Sequence, residues 1–523
     1  MIPVSEVVDL SRLQFALTAL YHFLFVPLTL GLSVLLAIME TVYVMTGRDI
    51  WKQMVKYWGV LFGINFVLGV ATGLTMEFQF GTNWAYYSHY VGDVFGAPLA
   101  IEGLMAFFLE ATFVGLFFFG WDRLSKVQHL CCTALLALGT NLSALWILIA
   151  NGWMQNPVGS HFDYQTMRME VGNFYDIIFN PVAQAKFVHT ISAGYVTGAI
   201  FVLSISAYFL LRGRNIAFAK RSMTVAISFG LASALSVVVL GDESGYVANS
   251  NQKMKLAAME AMWHTEASPA ALTVFGIPDE ANKTTNYEIK IPYALGIIAT
   301  RSFNQPLAGI DALIKEGEGH IRNGMKAYGA LVKLQKDPSN DSAKTTLATY
   351  EDDLGYGLLL KKYTEKVTDA TDEMILKASE DLKPHVTPLF FAFRIMVGCG
   401  LLLIFLFASG FYLVSRGHLM QSRWYWHFAF WALPLPWLAI ELGWFVAEYG
   451  RQPWVVQGVL PTFMGASSLS VAELLTSLAG FFIFYSVLAV IEVYLMVKYI
   501  RLGPDGMGMA MDTVKKGATQ NAY

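Results

Sequence analysis

Residues 96–120, GAPLAIEGLMAFFLEATFVGLFFFG, indicate the class of this protein. The stretch is 25 residues long, nearly all apolar, and it carries two carboxylates, Glu102 and Glu110. A helix of about 20 apolar residues crosses a bilayer, and an acid inside it costs several kcal/mol unless it is paired. Two residues eight positions apart on a helix lie about 12 Å apart along the axis and about 80° apart around it. The two acids are therefore either two steps of a proton path or two partners of basic residues on neighbouring helices.

Composition indicates an integral membrane protein with several spans. Of 523 residues, 55% are hydrophobic and 14% are charged, whereas soluble domains carry about 25% charged residues. The mean hydropathy is +0.47. A net charge of −3 gives no indication of nucleic-acid binding, and Cys131, Cys132 and Cys399 lack the CxxC spacing of a metal site. The N-terminus does not have the pattern of a cleaved signal peptide, so the first span is expected to be its own insertion signal.

Apolar segments predict the fold class. Nine of them are long enough to cross a bilayer, and they cover 15–42, 57–79, 95–120, 128–150, 181–211, 222–240, 389–415, 427–447 and 470–498. The sequence therefore predicts an all-α integral membrane protein with nine transmembrane helices and a large extracytoplasmic loop between helices six and seven. The chain is therefore expected to divide into three regions. They are 1–240 with helices one to six, the loop 241–388, and 389–523 with helices seven to nine and a cytoplasmic tail.

Basic residues predict the orientation. One set of short connections, together with the C-terminal tail, carries fifteen Lys and Arg residues, and the opposite set carries four. Because basic short loops stay in the cytoplasm, the N-terminus and the long loop are expected outside, and the C-terminus inside.

Candidate metal ligands from five helices are expected to gather near the outer boundary. They are His22, Glu102, His189, Met396 and Glu448. The first four lie about seven or eight residues inside their spans, hence about 10–12 Å deep, and Glu110 lies about 12 Å deeper. Haem iron takes His, Met or anionic ligands, although a lone His or Met in a span is more often a packing residue. The pattern is compatible with a membrane redox protein and with a haem-free, ion-coupled transporter.

Five segments carry a resemblance to a known family. They are RLQFALTALYHFLFVPLTLG (12–31), GVATGLTMEFQFGTNW (69–84), SALWILIANGWMQNP (143–157), KFVHTISAGYVTGA (186–199) and WFVAEYGRQPW (444–454). They resemble subunit I of the cytochrome bd-type ubiquinol or menaquinol oxidases over nearly the whole chain. The length of 241–388 and the segment EDDLGYGLLLKKY (351–363) resemble the branch with a long quinol loop.

The resemblance implies three haems. His189 and Met396 would be the axial ligands of the low-spin haem b558. His22 would bind haem d, where O₂ is reduced, and Glu448 would bind haem b595. Trp444 would lie among the haems and assist electron transfer.

The resemblance also implies proton and quinol residues. Glu102 would lie beside haem d, and Glu110 would supply it with protons from the cytoplasm. Lys255 and Glu260 would serve quinol oxidation in the loop, with Arg394 near haem b558 or the quinol. Without the resemblance, a Lys and a Glu five positions apart are typical of a solvated helical face.

The implied activity is that of a terminal respiratory oxidase. It would oxidise membrane quinol at the periplasmic side of the bacterial inner membrane and reduce O₂ with cytoplasmic protons, generating a proton motive force without pumping. The implied partners are oxidase subunit II, one or two small single-span subunits, and the lipid bilayer. A related oxidase with haem b in place of haem d is a further alternative, against which the long loop argues.

Overall fold

The computed structural model describes residues 5–520 and the side chains of residues 5–506. Within that part of the chain, nine helical segments are long and apolar enough to cross a membrane. We number them spans 1 to 9, and they cover Ser5–Thr46, Asp49–Thr82, Ala85–Phe119, Lys126–Gln155, Phe174–Leu211, Ile216–Asn251, Val386–Ser415, Arg423–Tyr449 and Val471–Gly506. The predicted all-α membrane class and the predicted number of spans are confirmed.

The spans are longer than the apolar segments that predicted them. Span 1 is already helical at Ser5, and span 6 continues past residue 240 to Asn251. Hydropathy reports only the part of a helix that suits lipid, so a polar continuation of the same helix gives no signal. His22, expected about eight residues into its span, is in fact the last residue of an 18-residue helix.

Five spans are interrupted. Span 9 has a non-helical residue, Gly503, just before Pro504. The other four are divided into separate pieces. Their pieces are Ser5–His22 and Val26–Thr46 in span 1, Ala85–Ile101, the π-helical Glu102–Phe107 and Phe108–Phe119 in span 3, Phe174–Ile178 and Pro181–Leu211 in span 5, and Arg423–Trp431 and Leu435–Tyr449 in span 8. Proline stands in the first turn after the break in spans 1, 5 and 8, where its missing N–H is not needed. His22 and Glu102 both lie at such irregular positions, and π-helical turns are frequent at functional sites.

Span 5 is the most enclosed span, with 83% of its most apolar window buried, and span 1 follows with 56%. Glycines allow spans 1 and 5 to approach closely. A Cβ added to Gly31 would lie 2.4 Å from the carbonyl oxygen of Gly194 and 2.7 Å from the Cα of Gly198. Spans 3 and 9 lie at the periphery, since only 11% of the most apolar window of each is buried. Their apolar outer faces are suited to lipid or to another subunit.

The segment between spans 6 and 7 is a folded unit. Its helices are Lys253–Met259, Ala294–Thr300, Ile310–Lys336, Asp341–Tyr350, Leu354–Leu359 and Asp372–Glu380, and its antiparallel hairpin pairs Leu272–Asp279 with Thr284–Ile291. Ile321, Leu360 and Ile375 form an apolar core that also contains Trp454, which follows span 8. The loop therefore packs on the end of the bundle where span 8 ends. Two small hairpins lie in other connections, Ser160–Asp163 with Arg168–Val171 and Trp454–Val456 with Leu460–Pro461.

Candidate functional site

His22 ends the first helix of span 1 and faces span 2. Its Nδ1 lies 2.9 Å from the hydroxyl oxygen of Thr72, so Nε2 is the nitrogen left for a metal ion. Gly73 follows on span 2, where an added Cβ would lie 2.9 Å from the Cε1 of His22. The absence of a side chain at Gly73 therefore makes room for the imidazole ring.

His189 and Met396 each face a glycine on a neighbouring span. An added Cβ on Gly241 of span 6 would lie 3.3 Å from the Cε1 of His189, and one on Gly443 of span 8 would lie 3.1 Å from the Sδ of Met396. The Nδ1 of His189 is buried without a hydrogen-bond partner in the described part of the chain. Buried polar atoms normally have a partner, so this nitrogen is a candidate for a ligand from outside the chain.

Glu448, at the end of span 8, is held by four side chains. Its Oε1 accepts hydrogen bonds from Asn151 at 3.1 Å and Gln155 at 2.9 Å, and lies 3.4 Å from the Nζ of Lys186. Its Oε2 lies 2.6 Å from Arg451 in the GRQPW turn. Three elements besides its own helix therefore fix this carboxylate: span 4, span 5 and the turn.

Trp444 connects this cluster with the break in span 1. Its ring lies 4.8 Å from the ring of Phe23, the residue after His22, in an edge-to-face arrangement. The Nζ of Lys186 lies 5.0 Å from the centre of the same ring. Trp444 is also one helical turn before Glu448. One aromatic side chain thus lies between the region of His22 and the Glu448 cluster.

Lys255 approaches the same cluster from the loop. Its Nζ donates to the Oε1 of Gln155 at 2.6 Å and to that of Gln252 at 2.7 Å. Because Gln155 also donates to Glu448, Lys255 is one side chain away from this carboxylate. Burial lowers the pKa of Lys255 well below its usual range, and the nearby Lys186 acts in the same direction.

Glu260 contacts a different element, span 7. Its Oε2 lies 2.8 Å from the Nη2 of Arg394, two residues before Met396, and the two side chains are only 2% and 14% exposed. Burial raises the pKa of the Glu260 carboxyl, and Arg394 acts against that rise. The simple interpretation of Lys255 and Glu260 as a solvated helical face is therefore wrong. Both residues are buried. Lys255 binds Gln155 of span 4, and Glu260 binds Arg394 of span 7.

Glu102 and Glu110 both face span 4. Ser143 donates to the Oε1 of Glu102 at 2.7 Å. Glu110 is 7% exposed, and an added Cβ on Gly139 would lie 2.9 Å from its Cγ. Neither acid forms an ion pair among the side chains of residues 5–506. The alternative in which each acid pairs with a basic residue of this chain finds no support there.

Several residues of the site were not singled out from the sequence. Asn151, Gln155 and Lys186 bind Glu448, and the only local signal is that Lys186 stands one turn before His189. Glu441, two turns before Glu448 on the same face of span 8, has both carboxylate oxygens buried without a partner in the described residues. An acid in an apolar span is the signal that could have drawn attention to it.

The residues present fit the haems that the resemblance implies. The candidate ligands stand singly, and no group of three His, Cys, Asp or Glu side chains within the described residues could hold a metal ion without further donors. A haem supplies its own equatorial nitrogens and needs only one or two axial ligands from the protein. The glycines beside His22, His189 and Met396 and the unpartnered Nδ1 of His189 suit such ligands.

Comparison with known proteins gives a consistent answer. Residues 10–504 match the sequence profile described as cytochrome bd terminal oxidase subunit I. The chain is 52% identical over 512 residues to the cytochrome bd-II ubiquinol oxidase subunit 1 of Escherichia coli (strain K12), with 98% of this chain and 100% of that protein covered. It is 38% identical over 502 residues to the cytochrome bd ubiquinol oxidase subunit 1 of Bacillus subtilis (strain 168), with 96% and 95% covered. The structure of the bd oxidase from Geobacillus thermodenitrificans shares its fold, with a TM-score of 0.77 at 24% identity over 96% of this chain and 100% of that chain. The chain therefore belongs to the family of cytochrome bd terminal oxidase subunit I.

Proposed function

We propose that this chain oxidises a membrane quinol and reduces O₂ to water, and that its own side chains hold the haems that carry the electrons. Its family is one of terminal oxidases, and two relatives are ubiquinol oxidase subunits by name. The haem-free transporter loses its support with this membership. In the proposal, His189 and Met396 bind haem b558, His22 binds haem d, and Glu448 binds haem b595.

The observation that carries the proposal is the position of Trp444. Its ring contacts Phe23, next to His22, and it stands one turn before Glu448 and under the ammonium group of Lys186. The Phe23–Trp444 contact thus joins the break that follows His22 in span 1 to the helix that carries Glu448, an arrangement suited to electron transfer between two neighbouring haems.

The chain orients its ligands by hydrogen bonds and charge. When bound, the haems supply one-electron transfer and the reduction of O₂. Lys186 and Arg451 each bind one oxygen of Glu448, and Thr72 fixes the ring of His22 through Nδ1. Partners of this kind set the orientation and basicity of metal ligands.

Glu102 and Glu110 carry protons to the site of O₂ reduction in this proposal. Both are acids inside a span, and neither has a cation partner in the described side chains, which favours proton transfer over ion pairing. With the orientation predicted from the basic loops, these protons come from the cytoplasm. Moving one charge across about 100 mV is worth about 2.3 kcal/mol, so proton uptake from one side conserves energy without a pump.

Lys255, Glu260 and Arg394 form the quinol-oxidising end in this proposal. All three are mostly buried at the junction of the loop with the bundle, and Lys255 lines a cavity of about 200 Å³ beside the GRQPW turn. The hydrogen bonds from Lys255 to Gln155 and from Gln155 to Glu448 join this end to the proposed haem b595 ligand.

The proposed setting is the bacterial inner membrane, with the N-terminus and the loop in the periplasm and the C-terminus in the cytoplasm. Chains of this family are the first of at least two subunits, and we propose one or two small single-span subunits besides subunit II. The exposed apolar faces of spans 3 and 9 support contact with such partners.

Absorption spectroscopy and O₂ consumption by the purified complex test the proposal. We expect low-spin haem b and chlorin bands, and quinol-dependent O₂ uptake that is compared between ubiquinol and menaquinol. Haem extraction distinguishes haem d from the alternative with haem b only. Glu110→Gln is expected to slow O₂ reduction and to leave the haem spectrum unchanged. A colourless complex would contradict the proposal that the chain holds haems. Normal turnover of Glu110→Gln would contradict the proposed proton path.

A further inference from the structure

The antiparallel hairpin of the loop carries an exposed apolar surface. Its second strand presents Ile289 and Ile291, which are 62% and 50% exposed. The register places Phe275, which is 48% exposed, opposite Ile289 on the first strand. Tyr293, two residues beyond the second strand, is 58% exposed. Single exposed apolar side chains are common on protein surfaces, but a contiguous group of them marks an interaction site.

The opposite face of the same strand is polar. The Nζ of Lys290, which stands between the two isoleucines, lies 3.3 Å from the Oε1 of Glu266 and 3.2 Å from the Oε1 of Glu288. Successive side chains of a strand point to opposite faces, so Ile289 and Ile291 share the face that these charges do not occupy. This end of the hairpin is therefore amphipathic.

The turn of the hairpin is charged and lies where span 7 begins. The carboxylate of Glu280 accepts a hydrogen bond of 3.0 Å from the backbone N–H of Thr387, the second residue of span 7, and lies 3.7 Å from the Nζ of Lys383. The Nζ of Lys283 lies 3.7 Å from the Oε1 of Glu380. Ion pairs with the residues just before the span therefore hold this end of the hairpin.

The other end of the hairpin contacts span 7 farther along the helix. The backbone carbonyl oxygen of Thr273 accepts hydrogen bonds from the Nε and Nη2 of Arg394 at 3.0 Å and 2.6 Å. Arg394 is seven residues beyond Thr387, which is about 10 Å along the helix axis. The register pairs Thr273 with Lys290, so the two isoleucines beside Lys290 lie at this end. The hairpin thus changes from charged to apolar in the direction in which span 7 enters the membrane.

The contact at Arg394 lies at the boundary of the membrane. Arg394 stands five residues inside the apolar segment 389–415, hence about 7–8 Å from its beginning. Three apolar residues follow Arg394 at intervals of three, seven and eleven positions, which keeps them on the same face of the helix. They are Val397, Leu401 and Phe405, and they are 41%, 62% and 59% exposed. The exposed apolar face of span 7 therefore continues directly into the surface on which the hairpin lies.

A contact with span 6 indicates a similar depth. Arg301 of the loop forms ion pairs with Asp242 and Glu243, which stand two and three residues beyond the apolar segment 222–240. Phe303, two residues after Arg301, is 64% exposed. An exposed aromatic side chain is thus held close to the end of the apolar part of span 6.

We propose that the apolar end of the hairpin, together with Phe303, inserts into the layer where lipid head groups meet acyl chains, in the leaflet on the side of the loop. The head-group region adds roughly 5–8 Å on each side of the hydrocarbon core, and amphipathic protein faces bind there by burying about 5–10 Å. Lipid is the favoured occupant for two reasons. The surface continues the exposed apolar face of span 7, and the charges of the hairpin are confined to its other face and to its turn.

Nitroxide labels in the complete complex test the proposal. The complex is reconstituted into vesicles of phosphatidylethanolamine and phosphatidylglycerol, in a Cys131→Ser background because Cys131 is exposed whereas Cys132 and Cys399 are buried. Ile289→Cys is labelled and compared with Thr284→Cys, at the turn end of the same strand, and with Leu401→Cys on span 7. Relaxation of each label is measured with oxygen, which concentrates in lipid, and with a water-soluble nickel chelate.

We expect the ratio of the oxygen effect to the nickel effect at position 289 to match the ratio at 401 and to exceed the ratio at 284. A ratio at 289 equal to that at 284 would overturn the proposal, because the hairpin would then face water. Protection of position 289 from both reagents would also overturn it, since another subunit or a second copy of the chain would then cover the surface. If Ile289→Cys does not assemble, Phe275→Cys probes the same surface, with the same outcomes.

Discussion

Arg394→Gln is expected to release the beginning of the loop from span 7 and to weaken quinol oxidation. The guanidinium group of Arg394 binds the carboxylate of Glu260 at 2.8 Å, the carbonyl oxygen of Met259 at 2.8 Å and that of Thr273 at 2.6 Å. It also lies 3.4 Å from the centre of the Phe390 ring on its own helix. One side chain therefore joins the first loop helix and the first loop strand to the span that carries Met396.

The magnitude follows from the burial of the pair. Glu260 is 2% exposed and Arg394 is 14% exposed, so the substitution leaves a buried carboxylate without its cation, which costs about 3–5 kcal/mol. A tenfold change in an equilibrium constant corresponds to about 1.4 kcal/mol, so docking of the loop becomes less favourable by about 10²- to 10⁴-fold. Combining Arg394→Gln with Glu260→Gln is expected to restore part of this loss, since no unpaired charge then stays buried.

The defect is also expected to depend on pH. Burial raises the pKa of Glu260 above its usual value and Arg394 opposes the rise, so the pKa of Glu260 in the folded variant is higher still. A carboxyl whose folded-state pKa is raised contributes stability below its unfolded-state pKa and loses it as the pH rises through the folded-state pKa. The defect of Arg394→Gln should therefore be small in acid and grow toward neutral pH.

Hydrogen exchange over residues 253–291 of the complete complex, together with quinol KM and kcat, measures this effect. We expect faster exchange and a raised KM in Arg394→Gln, while the chemically reduced low-spin haem spectrum reports whether Met396 is still in place. Lys290→Gln is the control, because Lys290 and Glu266 form a partly exposed pair in the same loop, and such pairs contribute about 0–1 kcal/mol. Equal exchange in both variants, or a double variant less stable than Arg394→Gln alone, would refute the reasoning.

Three further predictions concern the spans. His189→Leu and Met396→Leu are each expected to abolish the low-spin haem absorption band of the purified complex, and an unchanged spectrum would mean that the ligands are wrong. Gly443→Val introduces a branched side chain where a Cβ alone would lie 3.1 Å from the Sδ of Met396, so a redox titration should give a changed low-spin potential; an unaltered potential would contradict the contact. Gly31→Val places a Cβ 2.7 Å from the Cα of Gly198, which cannot move alone, so a loss of stability of about 1–3 kcal/mol or more is expected. A thermal unfolding temperature equal to that of the wild type would exclude this close packing.

Hydropathy was sufficient to predict the number of spans, because transfer of a helix into lipid is close to a sum over its residues. The ends of the helices were not predictable in this way. Polar residues continue span 6 to Asn251 and carry no lipid signal. The break after His22 and the π-helical turn at Glu102 were also absent from the prediction.

The sequence by itself determined that this is a nine-span membrane protein with two unusual acids in residues 96–120. The candidate ligands were identified from its resemblance to a known family. Only the tertiary structure decided which side chains meet. Lys186 binds Glu448, which is 262 positions away, and Glu40 meets His129, which is 89 positions away. Lys255 and Glu260, five positions apart, contact different elements. The physical reason is that such contacts depend on the register and rotation of each helix. Close packing, as at Gly31 and Gly198, sets the register and the rotation of the helices. The hydropathy of a single residue carries no information about either.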